Sequence, residues 1–321
     1  MKTVSLVLGS GGARGLAHIG VIHKLEESGY EIRSVAGCSI GALIGGIYAA
    51  GKLDEYEKWV RAITKMDIVA LMDISWGKGG LVKGDKIINT LIDLVGDVLI
   101  EDLPIPFTAV ATDIKNEKEV WIRSGPLFDA IRASISLPLF FTPFRYNGVS
   151  LIDGGVLNPV PIAPTFGDMT DITIAVNLGG PEENLEKTRE TAVEPEPEGT
   201  SGFQETISRF IKGLRKSETE EQQAQDLGAL DIISRSFDTM QGTIARIKLA
   251  AYPPGMVIEI PKNACGLLAF DRAAEMIELG YERAGKYLAA MPDASDRYGS
   301  AENMEASDEN QKENSRDHEE R

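Results

Sequence analysis

Cysteine and histidine are both scarce in this sequence, and each shortage excludes a class of site. The two cysteines, Cys38 and Cys265, are too few for a disulfide framework, and neither has a Cys or His neighbour at the spacing of zinc ligands. This usage fits a reducing cytosol. We therefore expect a cytoplasmic protein without a zinc site. The sequence also has no oxygen-ligand loop of the calcium type, and we expect neither a metal nor another cofactor.

Clustered positive charge is also lacking. The formal net charge is -16, and most of it comes from residues 181–198, with net charge -5, and residues 292–321, with net charge -6. The remainder is only mildly acidic and offers no basic field for nucleic acid. Because 181–201 is rich in Glu and Pro and 292–321 is polar, we expect a disordered acidic loop and a disordered acidic tail. Residues 1–180 and 202–291 are then predicted to form one domain.

The sequence contains no long hydrophobic run of the kind that forms the core of a signal peptide or a membrane span. The apolar run 4–8 is too short for the core of a signal peptide. The uncharged stretch 34–51 has the eighteen residues that could cross a bilayer, but five of them are glycine. It is better interpreted as a buried strand followed by a helix.

Short apolar runs alternate with helical patterns along most of the chain, which favours an α/β fold with a mainly parallel sheet. Strands are predicted at 4–8, 34–36, 108–113, 120–122, 149–152, 172–178 and 256–260. Helices are predicted at 16–25, 40–50, within 52–100, and at 126–134, 227–251 and 270–290. In 227–251 the apolar positions alternate by three and four residues. We attribute that spacing to packing within the fold, because too few heptads exist for a coiled coil.

A serine stands at the centre of Gly37-Cys38-Ser39-Ile40-Gly41. This G-x-S-x-G pattern is typical of a strand-to-helix elbow, in which glycines on both sides allow a strained turn and expose the serine. The pattern alone does not separate a nucleophile from an ordinary loop.

A second glycine-rich segment, Gly9-Ser10-Gly11-Gly12-Ala13-Arg14-Gly15, joins the first predicted strand to the first helix. Bare backbone N–H groups at a helix N-terminus bind negative charge, which could be a dinucleotide pyrophosphate or a transient oxyanion. The dinucleotide pattern G-x-G-x-x-G counted from Gly9 meets Arg14 at its last glycine. An oxyanion is therefore favoured.

The general base for Ser39 is not a histidine by this interpretation. His318 lies in the predicted tail, and His18 and His23 precede the serine, whereas the triad of an α/β-hydrolase places its histidine downstream. A carboxylate on a tight turn is the remaining candidate. Asp153, in Asp153-Gly154-Gly155, fits best, and Asp113 is its competitor.

Taken together and in this order, the glycine loop, the elbow and the Asp153 turn resemble those of the patatin-like phospholipases, in particular the compact bacterial members. Ala130-Ile131-Arg132-Ala133-Ser134 and Asn158-Pro159-Val160-Pro161 add to the resemblance, which covers residues 3–290. It implies a three-layer α/β/α sandwich, Ser39 as nucleophile, Asp153 as base, and an oxyanion hole formed by the amides of Gly11 and Gly12. Arg14 matches the family's basic position, and Ser10 departs from a common glycine.

The function that follows is hydrolysis of lipid acyl esters, of the phospholipase A or lysophospholipase type, through an acyl-serine intermediate. The alternative is a regulatory or scaffold protein that keeps the fold and acts by binding. A nucleotide-binding enzyme is a third hypothesis.

Two segments outside these motifs suggest contact with lipid. The region of Trp76, followed by Gly77-Lys78-Gly79-Gly80, is either core packing or a mobile cap over a lipid pocket. Residues 203–216 form the chain's basic amphipathic stretch, which is interpreted either as an ordinary surface helix or as a peripheral contact with the inner membrane surface. Its apolar face holds Phe203, Ile207, Phe210, Ile211 and Leu214, and its cations are Arg209, Lys212, Arg215 and Lys216.

Overall fold

The computed structural model describes residues 1–73, 82–183 and 229–290. Over these residues, eight strands form one mixed sheet. They are β1 (Lys2–Leu8), β2 (Tyr30–Cys38), β3 (Phe107–Asp113), β4 (Lys118–Ile122), β5 (Phe144–Tyr146), β6 (Val149–Asp153), β7 (Ile172–Gly180) and β8 (Met256–Pro261). Strand β5 escaped prediction because three residues between two turns carry too short an apolar pattern.

Helices cover both faces of the sheet. They are α1 (Ala17–Glu27), α2 (Ile40–Ala49), α3 (Leu53–Ala62), α4 (Lys65–Leu71), α5 (Asp85–Val95), α6 (Leu127–Ser134), α7 (Ala229–Ala251) and α8 (Ala273–Ala289). On β1, Val7 packs in a buried cluster with Ala245 of α7. Its neighbour Leu8 points toward Gly45 of α2. Because successive side chains of a strand face opposite sides, these contacts confirm the predicted α/β/α layers.

The strand order is β5-β6-β3-β2-β1-β7-β8, with β4 also paired to β3. The pairs from β3 through β2, β1 and β7 to β8 are parallel, whereas β4, β6 and β5 add antiparallel pairs. The prediction of a mainly parallel sheet is therefore confirmed for its centre. Short turns join β3 to β4 and β5 to β6, so these two pairs are antiparallel, and β6 is also antiparallel to β3.

Strand β3 brings together the C-terminal ends of β2 and β6, which are far apart in the sequence. Its residues 107–110 pair with β2, and its residues 111–113 pair with β6. Both strands use the same edge of β3, since β4 occupies the other along residues 109–113. Strands β2 and β6 run in opposite directions and meet end to end, with Cys38 opposite Val110 and Asp153 opposite Ala111.

The chain divides into two units, residues 1–284 and residues 285–321, and the structure describes the second only to residue 290. The single domain predicted for 1–180 and 202–291 stays a prediction. The Trp76 cap, the helix 203–216 and the tail 292–321 lie outside the described residues, as does nearly all of the loop 181–201.

Candidate active site

Ser39 lies between the last residue of β2 and the first of α2. Its backbone has φ 55° and ψ −125°, a left-handed conformation that a non-glycine residue seldom adopts. The turn is tight enough that a Cβ on Gly37 would come 2.3 Å from the carbonyl oxygen of Gly41, and one on Gly41 would come 2.1 Å from that of Leu8. Both elbow glycines are thus needed for close backbone approach.

Asp153 ends β6 directly opposite this serine. The Oγ of Ser39 donates a hydrogen bond of 2.5 Å to Oδ2 of Asp153, and the N–H of Gly155 donates one of 2.7 Å to Oδ1. The carboxyl group is fully buried. Burial raises the pKa of Asp153 to about 6, and the two hydrogen bonds, from Ser39 and Gly155, oppose that rise. This carboxylate therefore has a higher proton affinity than an ordinary aspartate.

Two serines around α6 hold the elbow and the aspartate in place. Ser134 Oγ accepts a hydrogen bond of 2.9 Å from the N–H of Ser39 and donates one of 2.6 Å to the carbonyl oxygen of Val110. The N–H of Asp153 donates to the carbonyl oxygen of Ser136 at 2.9 Å. Ser134 belongs to a segment that the sequence analysis singled out, but the sequence indicated no role for it. A hydroxyl that hydrogen-bonds distant backbone groups produces no recognisable spacing in the sequence.

The glycine loop follows β1 and ends in a 3-10 turn at Gly12–Leu16. The N–H groups of Gly9, Ser10 and Ala13 are bonded to the carbonyl oxygens of Val176, Pro159 and Leu267. Within the described parts of the chain, the N–H groups of Gly11 and Gly12 donate no hydrogen bond. Both glycines line the same cavity as Ser39. The loop therefore has two unused donors at residues that line the same cavity as the serine, and an oxyanion hole requires such donors.

Two buried basic side chains brace this loop through its carbonyl groups. Arg14 Nε donates to the oxygen of Gly11 at 3.0 Å, and its Nη2 meets Asp238 Oδ1 at 3.2 Å. His18 Nε2 donates to the oxygen of Gly9 at 2.9 Å. Burial lowers the pKa of His18 to about 4, so its ring is neutral and Nε2 carries the proton. These contacts fix the orientation of the two carbonyl groups.

The remaining glycines of the three motifs are required by close packing. A Cβ on Gly15 would come 2.2 Å from Ile40 Cγ2, and one on Gly9 would come 2.7 Å from the oxygen of Val176. A Cβ on Gly154 would come 2.1 Å from the oxygen of Val110. One on Gly155 would come 2.3 Å from Gln241 Nε2. The loop and the Asp153 turn are thus fitted closely against their neighbours.

Asp113, the competing base, belongs to the β3–β4 turn. Its carboxylate accepts hydrogen bonds from the N–H groups of Lys115 and Asn116, both at 3.1 Å, and from Asn116 Nδ2 at 2.6 Å. The side-chain bond from Asn116 is the main cause that lowers the pKa of Asp113. This environment suits a turn-forming aspartate rather than a base, and the carboxylate makes no contact with Ser39.

An apolar cavity of about 160 Å3 opens at the serine. Its walls come from α2 to α5, the segments 135–141 and 267–270, and α7. The cavity includes Trp59, Ile63, Ile68, Leu71 and Met72, which belong to the segment 52–100 in which helices were predicted. None of its lining residues in the described part of the chain is charged. The space suits an acyl chain.

Helix α7 supplies two lining residues that the sequence reasoning missed, Phe237 and Gln241. Gln241 is buried, and its Nε2 donates to Ser10 Oγ at 3.2 Å. This hydrogen bond links α7 to Ser10, the loop position at which the sequence departs from the glycine common in the family that it resembles. No sequence signal marks this residue, since the contact spans 231 positions.

Within 1–73, 82–183 and 229–290, no group of three His, Cys, Asp or Glu side chains could hold a metal ion. Over the same residues, no helix combines the length and apolar character needed to cross a bilayer.

Comparison with known proteins gives consistent matches. A family model described as patatin-like phospholipase matches residues 6–166. An uncharacterized NTE family protein of Mycobacterium tuberculosis is 38% identical over 329 residues, which cover 89% of this chain and 91% of that protein. The lysophospholipase nte1 of Emericella nidulans is 27% identical over 297 residues, which cover 89% of this chain and 18% of that protein. The crystal structure of VipD from Legionella pneumophila matches 90% of this chain and 67% of its own at 15% identity, with a TM-score of 0.43. That structural similarity is too weak to support an argument about function.

Proposed function

Because this chain belongs to the patatin-like phospholipase family, we propose that it hydrolyses lipid acyl esters with Ser39 as nucleophile and Asp153 as general base. The observation that carries the proposal is the 2.5 Å hydrogen bond from Ser39 Oγ to Asp153 Oδ2, at a strained elbow that faces an apolar cavity. A serine with a hydrogen-bonded base is the arrangement of an activated nucleophile.

Acylation begins when Oδ2 of Asp153 takes the proton from Ser39 and Oγ attacks the ester carbonyl carbon. The negative charge that develops on the carbonyl oxygen is stabilised by the free N–H groups of Gly11 and Gly12 and by the positive N-terminal end of α2. Collapse of the tetrahedral intermediate expels the alcohol, which takes the proton from Asp153 and leaves an acyl-serine.

Deacylation repeats these roles with water. Asp153 accepts a proton from the water, whose oxygen attacks the acyl carbon, and the same amides stabilise the second tetrahedral intermediate. Its collapse returns the proton to Ser39 Oγ and releases a fatty acid. A base with a pKa of about 6 suits both steps, because it is ionised at neutral pH and still binds a proton more tightly than an exposed aspartate.

The substrate class follows from the cavity. An uncharged, mostly apolar lining accommodates a fatty acyl chain and places its ester at Ser39, which supports a phospholipase A or lysophospholipase type of reaction. The printed name of the Emericella nidulans relative, a lysophospholipase, points to the same class.

The decisive experiment compares wild type with Ser39→Ala on fatty-acyl p-nitrophenyl esters and on phospholipid vesicles. Loss of at least about 10³-fold in kcat/KM is expected, since the alanine cannot form the acyl intermediate. A fluorophosphonate probe should label wild type and leave Ser39→Ala unlabelled. If the alanine variant kept its activity, the alternative of a binding protein on this fold, with adventitious hydrolysis, would be preferred.

A further inference from the structure

Helix α7 is apolar on a side that does not face the protein. Its buried side holds Gln241 and Ala245, and Ala245 packs with Val7 and Ala175 of the sheet. Met240 is 56% exposed and Ile247 is 62% exposed. The sequence-based interpretation, in which the three-and-four spacing served packing within the fold, is therefore wrong for these two residues.

Four residues of this spacing make up what we call the α7 stripe: Phe237, Met240, Ile244 and Ile247. Phe237 and Ile244 are half-buried. Ile244 lies between the two exposed side chains, and Phe237 extends the row by one turn toward the N-terminus of the helix. Single exposed apolar residues are ordinary, but a row of them along one helix marks a contact surface.

The stripe begins at the proposed catalytic centre. Phe237 lines the apolar cavity into which Ser39 faces, and the other three residues extend from it along the helix. A surface that covers the stripe would therefore meet the wall of the cavity that is proposed to hold the acyl chain.

The charges of α7 favour an anionic surface. Arg235 and Arg246 are exposed on the same helix, about a third of a turn around its axis from Met240 and Ile247. Asp238 is the single carboxylate between residues 235 and 251, and it is paired with Arg14 at 3.2 Å. Arg246 Nη2 donates to Thr243 Oγ1 at 3.0 Å, and among the described residues neither arginine is paired with a carboxylate. Both guanidinium groups can therefore reach lipid phosphates, as on helices that lie in a membrane interface.

We propose that the α7 stripe lies on the surface of an anionic bilayer, with Met240 and Ile247 among the acyl chains. The membrane contact is inferred from the exposed residues of α7 and does not depend on the proposed catalysis. Its role in delivering an acyl ester to Ser39 rests on the proposed function. A second copy of the chain fits the stripe less well than a bilayer does. The helix extends only about 15 Å from Phe237 to Ile247, whereas a stable dimer interface buries about 800 Å2 on each partner.

Flotation of the full-length protein with vesicles of phosphatidylglycerol and phosphatidylcholine tests the contact. Wild type should bind, and the double variant Met240→Glu/Ile247→Glu should bind at least tenfold more weakly. The matched control is Ile114→Glu/Met169→Glu, the same substitutions at positions that are 58% and 99% exposed elsewhere on the surface. It should bind as wild type does. Arg235→Gln/Arg246→Gln should weaken binding to the mixed vesicles more than to pure phosphatidylcholine.

Three further measurements separate the possible outcomes. Thermal unfolding of the double variant should match wild type, because both side chains are exposed. Its turnover of a short, soluble ester should be unchanged, whereas its turnover of vesicle lipid should fall with binding. Ser39→Ala should still float with vesicles, so an error in the proposed catalysis would leave the membrane contact standing.

Two results would overturn the inference. One is equal flotation by wild type and the double variant, or flotation by neither. The other is a wild-type dimer that the double substitution separates into monomers, which would assign the stripe to a second copy of the chain.

Discussion

The hydroxyl of Ser39 lies 2.5 Å from the carboxylate of Asp153, although 114 positions separate the two residues in the chain. The contact exists because β2 and β6 approach each other along one edge of β3 and stop at adjacent registers. Both reacting groups are thus attached to strand ends, which hold them more rigidly than free loops would.

Replacing the proposed base should remove turnover, whereas replacing its competitor should not. For Asp153→Asn we expect kcat to fall by about 10² to 10⁴, the contribution of a positioned general base. Asp113→Asn is the matched control, since it changes the same atoms in a turn that does not contact Ser39. Steady-state kinetics on a fatty-acyl p-nitrophenyl ester measures both. Activity lost only in Asp113→Asn would transfer the role of base to that residue.

The pH dependence of catalysis should report the raised pKa of Asp153. Only the ionised carboxylate can accept the serine proton, so kcat/KM should be constant at neutral pH and decline below about pH 6, tenfold per pH unit. The midpoint should lie well above the 3.9 of an exposed aspartate. A profile that stays flat to pH 4.5 would argue against Asp153 as the titrating base.

The same burial should cost stability at neutral pH. Because the folded-state pKa of Asp153 is raised from 3.8 to about 6, folding favours the protonated form. That contribution is complete below the unfolded pKa and is lost as the pH rises through about 6. Asp153→Asn removes the buried charge and keeps an acceptor for Gly155. Denaturant unfolding should therefore show this variant more stable than wild type at pH 8, by up to about 3 kcal/mol, with the difference shrinking toward pH 4. A constant difference would contradict the prediction.

Gly12→Ala should impair catalysis beyond its effect on folding. Gly12 has φ +59°, and a Cβ there would come 2.4 Å from the oxygen of Leu267, so the loop must shift and its free N–H groups with it. Loss of one oxyanion donor costs about 10² to 10³ in kcat.

The control for this substitution is Gly29→Ala, at φ +78° with no atom within 4 Å of the added Cβ. It carries the same backbone strain, roughly 1 kcal/mol, without touching the loop. We expect lower stability and unchanged kcat for Gly29→Ala. Equal kinetic effects of the two alanines would mean that the Gly12 amide has no special role.

Much of the fold could be predicted because its signals are local. Short apolar runs bounded by glycine placed the central strands, and the family resemblance supplied the layers. The predicted helix 40–50 agrees with α2, whose first residue follows the elbow serine. Strand β5 was missed, and so was the antiparallel pairing of β6 with β3, because the direction of that pairing depends on residues that are far apart in sequence.

By itself, the sequence determined the chemistry-bearing motifs. Glycines at 37 and 41 indicated an elbow, and a glycine loop indicated backbone donors. The lack of a histidine downstream of Ser39 in the predicted domain favoured a carboxylate as the base. These are properties of short segments, and neighbouring residues are enough to specify them.

Only the tertiary structure decided which distant groups meet and which apolar residues are covered. It placed Asp153 against Ser39 and left Asp113 in its turn, because strand pairing on β3 sets both positions. It also left Met240 and Ile247 of α7 exposed, although their spacing is that of a packed face. Periodicity shows that a helix has an apolar side, whereas burial depends on whether another surface lies against it.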